Sequence, residues 1–434
     1  MLRALFHHAD QLLTQYRSFW QMRPFHIRQF RECSQLPESL LSKLTKLDQK
    51  EFEQLSQNSE ASKQWLQPWL PCLDDIGLLE KRIQGMSQQS NSFARIADVD
   101  NSVLSDYQEP VCIKYLSSGI PGRKWQQIEL VTEYLPAANS PSKQKLLEWC
   151  AGKGHLGRLL SIRKGYEVTS LEWQHSLCIQ GEALIHQQKK RYPQLQQRMQ
   201  QGDALSNDVS RLLNQHNTAV ALHACGDLHT HLISQCCNSA QAIKQLAVAP
   251  CCYHLTADDI YQPLSKAGQG SLLRLDRQDL KIPLQETVTG GQRVSRLRDI
   301  ELHWRLSFDF LRQSLTGETH YKPLPAFPKK LLSGGFKEFV HWALINRELL
   351  SDDHDSDNLP FNEREMSQAL TEGAEKLLMV RKLEWLQSYF RRLLEIWLVA
   401  DRALSLEEAG FHVELYQFCD KAVSPRNLLI LARR

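Results

Sequence analysis

The eleven residues Leu147-Glu-Trp-Cys-Ala-Gly-Lys-Gly-His-Leu-Gly157 constrain this chain more than any other stretch. An apolar run carrying the acidic Glu148 gives way to Gly152 and Gly154, and Gly157 opens the next segment. Glycine at such a bend lets a ligand lie against the backbone where a Cβ would intrude, and the bend aims backbone N–H groups at whatever sits over the strand end. A strand, a glycine turn and a helix in that order predict an open α/β sheet whose binding site lies at the strand ends.

The surrounding pattern agrees. From about Ser142, short apolar runs alternate with helical periodicity, the mark of an α/β domain with a parallel sheet. Strands are expected at 145–150, 167–172, 199–203, 219–223 and 246–249, with helices at 157–163, 175–191, 205–214 and 228–240. Residues 255–365 interrupt the rhythm with the pairs Gly290–Gly291 and Gly334–Gly335, the Pro-rich Tyr321–Lys330 and an acidic loop from Asp352 to Asn358. A long amphipathic helix follows over 365–409, with a break allowed in it, then strands at 412–418 and 428–432 around the Ser424–Pro425 turn. Residues 1–105 read as a helical, polar accessory region. The expected division is thus 1–105, then 106–254 as the first part of the sheet domain, 255–365 as an insertion suited to substrate recognition, and 366–434 completing the domain.

At 434 residues with 42% hydrophobic and 23% charged content, the chain can bury a full catalytic core and is not globally disordered. A formal charge of +3 neither demands nor excludes nucleic acid, because phosphate binding depends on local clustering of Lys and Arg. The N-terminus lacks the pattern of a signal peptide, and no apolar stretch is long enough for a membrane span. Eleven cysteines, some adjacent, fit reduced thiols better than a disulfide framework, so a cytoplasmic location is expected.

Gly152-x-Gly154-x-x-Gly157, with Glu172 about twenty residues on to meet a ribose diol, suits both NAD and S-adenosylmethionine (SAM). Three features separate them. Glu148 stands four positions before Gly152, suited to the methionine part of SAM. Asp203, in Gln201-Gly-Asp-Ala204, suits the adenine amino group. The last two strands are joined by a loop too short for a helical crossover, so they must pair antiparallel. SAM is therefore the expected cofactor. The candidate cofactor-binding set is Glu148, Cys150, Gly152, Gly154, Glu172, Asp203 and His223.

Ala219-Val-Ala-Leu-His-Ala-Cys-Gly-Asp-Leu228 and Val248-Ala-Pro-Cys-Cys-Tyr-His254 should place two more loops on the same crevice. His223, Cys225, Asp227, Cys251, Cys252 and His254 are the candidate catalytic residues. Three readings stay open for the cysteines. They are small packing groups at strand ends, or one is a nucleophile attacking a pyrimidine ring, or His223, Cys225, Cys251, Cys252 and His254 surround zinc. Their spacing matches no standard structural zinc pattern, so no metal is expected. Otherwise the crevice positions an acceptor for direct transfer from the sulfonium.

Glu148-Trp-Cys-Ala-Gly-Lys-Gly-His-Leu-Gly157, His223-Ala-Cys-Gly-Asp-Leu228 and Pro250-Cys-Cys-Tyr-His254 together resemble one branch of the class I SAM-dependent methyltransferases. The branch holds uncharacterised bacterial proteins, an animal protein with a glutathione-S-transferase C-terminal-like domain, methyltransferase-like proteins and tRNA ribose methyltransferases. Gly122-Arg-Lys-Trp-Gln-Gln-Ile128 and Ser424-Pro-Arg-Asn427 also look like this branch. The resemblance implies a Rossmann-like, seven-stranded core with an antiparallel last strand, and SAM contact by Glu148, Gly152, Gly154, Glu172 and Asp203. Cys150 departs from the glycine that many class I enzymes carry there. Tyr253-His254 departs from the double histidine of the tRNA ribose enzymes.

The expected acceptor is RNA, tRNA or rRNA, met by Lys189-Lys-Arg191, Lys329-Lys330 and Arg293, Arg296 and Arg298, with Tyr321 and Phe327 available to stack bases. The same charges also fit ordinary solvated helix faces. The alternatives are a protein or small-molecule methyl acceptor, an NAD-dependent oxidoreductase, or a catalytically silent SAM-binding partner.

Overall fold

The computed structural model describes residues 1–94, 115–138, 144–238, 242–285, 292–351 and 358–434. Gly290–Gly291 and the acidic run 352–357 lie outside the described residues. The chain divides into two compact units that interleave in sequence: Met1–Gln15, Asp74–Val288 and Phe390–Arg434 form one, and Tyr16–Leu73 with Thr289–Tyr389 the other.

The first unit is built on a seven-stranded sheet: β1 Lys145–Trp149, β2 Glu167–Glu172, β3 Gln197–Gln201, β4 Thr218–Cys225, β5 Gln245–Cys251, β6 His412–Gln417 and β7 Leu428–Arg433. The strand order is β3-β2-β1-β4-β5-β7-β6. β1 to β5 pair parallel, whereas β7 runs antiparallel to both β5 and β6. This is the Rossmann-like α/β arrangement with a reversed last strand that the short closing loop requires.

Burial follows position. Every residue of central β5 is buried, and after Gln245 the strand reads as a continuous apolar run, Leu246–Cys251. Edge strand β3, Gln-Arg-Met-Gln-Gln, is mostly polar and partly exposed. Leu146, Val168, Val220, Ala247 and Leu431 form one core with Trp125 and Ile128 of the helix Gly122–Glu133. The helix Arg391–Glu408 is buried on nearly every side. It packs on the helix Leu2–Gln15, where Trp397 Nε1 donates to Asp10 Oδ1 at 2.8 Å. The long helix read over 365–409 is two helices, Glu363–Ser388 and Arg391–Glu408.

The second unit is helical. Gln292–Thr316 packs against Glu363–Ser388 so closely that a Cβ on Gly373 would lie 2.0 Å from Ser307 Oγ. Asn362 starts the latter helix with a capping box to Glu365, satisfying two backbone donors. Among the described residues, the stretch where the strand rhythm lapses therefore includes the regular helices Gln292–Thr316 and Gly335–Asn346. Phe327, expected as a base-stacking platform, is only 5% exposed. It packs edge-on to Phe339 and Trp342 at 4.9 and 4.8 Å, so its rings serve the core of this unit.

Candidate functional site

Strand order reverses between β1 and β4, and in open α/β sheets ligands bind beyond the carboxyl ends of the strands at that point. The backbone marks the same place. Among the described residues, four other than glycine have positive φ, and three of them terminate or follow neighbouring strands: Cys150 (55°) after β1, His223 (67°) in β4 and Cys252 (48°) after β5. The left-handed region is costly for a residue with a Cβ, and such residues concentrate at functional sites.

On the β1 side, Gly152 (φ 59°) and Gly154 (φ 68°) form the bend before the helix His155–Lys164. The Gly152 N–H donates to Glu172 Oε2 at 2.8 Å, while Gln174 N–H donates to Oε1 at 2.9 Å. Glu172 is thus fixed at the end of β2 and ties the glycine turn to it. Gly202 N–H donates to the Glu172 carbonyl at 3.0 Å, bringing the β3 end alongside. Asp203 is exposed and accepts from Leu205 N–H at 2.8 Å. Glu172, Cys225 and Asp203 all act on the Cys150 thiol, and burial foremost pushes it up to about 12. Cys150, Gly152, Gly154, Glu172 and Asp203 therefore converge.

Glu148 has a different place. It is 4% exposed, accepts from Ser170 Oγ at 2.6 Å and lies under Gly157, whose Cβ would stand 2.4 Å from its Oε2. Burial pushes its carboxyl up to about 7, opposed by Ser170, the Gly157 backbone and Arg158. It supports the glycine turn from beneath instead of lining its open side.

On the β4 side, the ladder to β5 shifts register between Leu222 and Cys225, a bulge that re-aims the strand end. His223 sits in it, reaching the surface yet largely surrounded by protein, so that desolvation followed by Lys124 holds its imidazole below the usual histidine range. Cys225 Sγ lies 3.6 Å from Cys251 Sγ, and the sulfurs of Cys225, Cys251 and Cys252 are all within 4.8 Å of one another. Hydrogen bonds from Cys225 and Cys251 push the Cys252 thiol down, while its two partners are pushed up.

Asp227 starts the helix Asp227–Asn238 and accepts from Ala257 N–H at 2.7 Å, which ties down the loop after β5. Gly226 allows that loop to approach: a Cβ there would lie 1.8 Å from the Leu255 carbonyl oxygen. His254 is half-buried, and its Nδ1 has no hydrogen-bond partner among the described residues. Tyr253 is buried, with the Arg402 guanidinium 5.2 Å from its ring.

Four residues at the crevice were not singled out individually by the sequence. Trp173, directly after Glu172, is 72% exposed, and Leu205, two residues past Asp203, is 46% exposed. A large apolar side chain beside each carboxylate was the available signal. Lys124 and Arg426 both act on His223, and Arg426 also on Cys252. They belong to the Gly122–Ile128 and Ser424–Asn427 segments.

Residues 123–259 match the model of a protein family described as a methyltransferase domain. A solved TehB-like SAM-dependent methyltransferase from Corynebacterium glutamicum is 16% identical over 28% of this chain and 60% of its own, with a TM-score of 0.20. The glycopeptide N-methyltransferase MtfA, solved with SAM, is 17% identical over 28% of this chain and 52% of its own, also at 0.20. An uncharacterised protein from Listeria monocytogenes is 10% identical over 52% of this chain and 99% of its own, at 0.25. The chain thus spans about half to three fifths of the first two structures. Over residues 123–259, which hold β1 to β5, the chain is thus similar to a methyltransferase domain.

Proposed function

We propose that the chain is a SAM-dependent methyltransferase acting on RNA by direct transfer. The observation that carries the reading is the Gly152–Glu172 hydrogen bond at the switch point, in a sheet whose β7 is reversed. The residues present fit the cofactor: a Cβ on Gly152 would meet nothing within 4 Å, so the backbone there is open to a ligand. Glu172, fixed by two backbone donors, suits ribose hydroxyls, and Asp203 suits the adenine amino group, with Trp173 and Leu205 as apolar flanks. When bound, SAM supplies a methyl group on a sulfonium, and the chain's contribution is proximity and one proton acceptor.

His223 is suited to that second role. Its lowered pKa leaves it unprotonated near neutral pH, and its exposure at the β4 end makes it reachable by an acceptor hydroxyl or amine. The cations Lys124 and Arg426 around it favour a polyanionic acceptor, which supports RNA over a neutral small molecule. Residues 255–365 are assigned to acceptor recognition in this reading. Among the described residues no helix is long and apolar enough to cross a membrane.

The test has two stages. S-adenosylhomocysteine should raise the melting temperature of the purified chain and NADH should not; the reverse removes the methyltransferase reading. Radiolabel from SAM should then enter RNA from a deletion strain. Incorporation into protein alone would replace RNA as the acceptor.

A further inference from the structure

We propose that Cys225, Cys251 and Cys252 form a binding site for one zinc ion, held by three thiolates with a fourth position left for an outside ligand. The argument begins with where consecutive side chains go. In an extended strand, neighbours such as Cys251 and Cys252 point to opposite faces. Here their sulfurs, with that of Cys225, all lie within 4.8 Å of one another. Two local distortions accomplish this. Cys252 adopts φ 48°, which turns it back toward Cys251, and the β4 bulge brings Cys225 opposite Cys251 in the ladder.

Thiols that merely filled space would need neither a left-handed cysteine nor a bulge, both of which are strained or irregular arrangements. The spacing between sulfurs is also suited to a shared ion. With zinc–sulfur bonds of about 2.3 Å, tetrahedral ligands sit about 3.8 Å apart. The Cys225–Cys251 separation is 3.6 Å. It is far too long for a disulfide, which has an S–S bond of about 2.05 Å. Three soft ligands select a thiophilic ion such as zinc over magnesium or calcium. Cys225 and Cys252 are only half-buried, which gives an ion a way in and leaves one coordination position on the accessible side.

The spacing rules for zinc miss such a site because its ligands come from two strand ends that meet through the sheet. Cys225 and Cys251 are 26 residues apart. The site does not depend on the acceptor being RNA, nor on SAM binding, and it is tested without either.

Metal analysis of the full-length chain purified without chelator should find zinc in a one-to-one ratio. Cobalt added to the metal-free chain should give the thiolate-to-metal charge-transfer bands of a tetrahedral sulfur site. Cys225→Ser, Cys251→Ser and Cys252→Ser should each weaken binding at least about tenfold, whereas Cys178→Ser, on the helix His175–Lys189, should not. Cobalt binding without charge-transfer bands, or retained in the triple variant, overturns the proposal; so does a Cys225–Cys251 disulfide in the reduced-buffer preparation. Should a variant fail to fold, alkylation of the unaltered chain decides. Zinc should protect Cys225 and Cys252 from iodoacetamide, and equal labelling with and without zinc sinks the site.

Discussion

The two sides of the crevice are built by opposite means. On the β1–β2–β3 side, the special conformations fall mainly on Gly152 and Gly154, and a single carboxylate, Glu172, ties the turn to the neighbouring strand. On the β4–β5 side, the left-handed positions fall on His223 and Cys252 as well as Gly226, and behind them lies a buried polar network. There His229 Nδ1–H donates to the Ala224 carbonyl, and its Nε2 accepts from Arg402 at 2.8 Å. Arg402 reaches Tyr261 Oη at 3.0 Å, and Tyr261 donates to Asp401 at 2.6 Å. The first side is open backbone, as a cofactor cradle requires. The second is closely packed and holds the imidazole and the thiols in fixed places, which suits the role proposed for His223.

The same substitution should therefore fail differently on the two sides. Gly226→Ala puts a Cβ 1.8 Å from a backbone oxygen at φ 57°, so neither side chain nor backbone can yield cheaply. It should cost about 5 kcal/mol, enough to abolish folding in many domains. Gly152→Ala meets nothing within 4 Å and suffers only the left-handed penalty, about 1–2 kcal/mol. It should stay folded yet lose binding of S-adenosylhomocysteine. Denaturant melts of both variants with calorimetric titration check this; a folded Gly226→Ala chain, or a Gly152→Ala chain that binds normally, breaks the comparison.

The two sides should also answer pH with opposite sign. Buried Glu148 has its pKa raised from 4.5 to about 7, so the folded state holds a proton that the unfolded chain releases. Its contribution to stability is largest below pH 4.5 and is lost as pH rises toward 7. Burial and then Arg402 lower His229 from 6.5 to about 3, so its contribution is present above pH 6.5 and is lost as pH falls toward 3. At full extent these amount to about 3 kcal/mol for Glu148 and about 5 kcal/mol for His229. Relative to the parent, Glu148→Gln should flatten the decline in stability between pH 4.5 and 7, and His229→Gln the decline below 6.5. Parallel slopes in both variants and the parent would contradict these assignments.

The same contrast explains what was legible in the sequence. Strand β2 and the turn after β1 could be read directly, because short apolar runs and glycines at a bend are local properties. The reversed β7 followed from a short connection, also local. Glu148 was readable as an acidic residue in the right register but not as one buried beneath the turn, since its face depends on Ser170 and Gly157 packing over it. The thiol trio was beyond sequence rules because a bulge and a left-handed cysteine bring its members together. Phe327 looked exposed within a Pro-rich run, yet Phe339 and Trp342 of a later helix cover it.

The smallest expected effect probes the cradle itself. Trp173 is 72% exposed, so Trp173→Ala removes almost no packing and should leave stability within about 0.5 kcal/mol of the parent. A surface tryptophan beside a fixed carboxylate has little reason to persist on packing grounds, but its ring suits the face of a purine. Stacking of that kind contributes about 1–3 kcal/mol, so affinity for S-adenosylhomocysteine should fall about tenfold or more. Affinity in Leu205→Ala, in the turn after β3, should fall by less because that side chain offers a smaller flat surface. If both variants bind as tightly as the parent, the adenine does not lie over the β2–β3 ends, and the open side of the crevice would have to be reassigned to the acceptor.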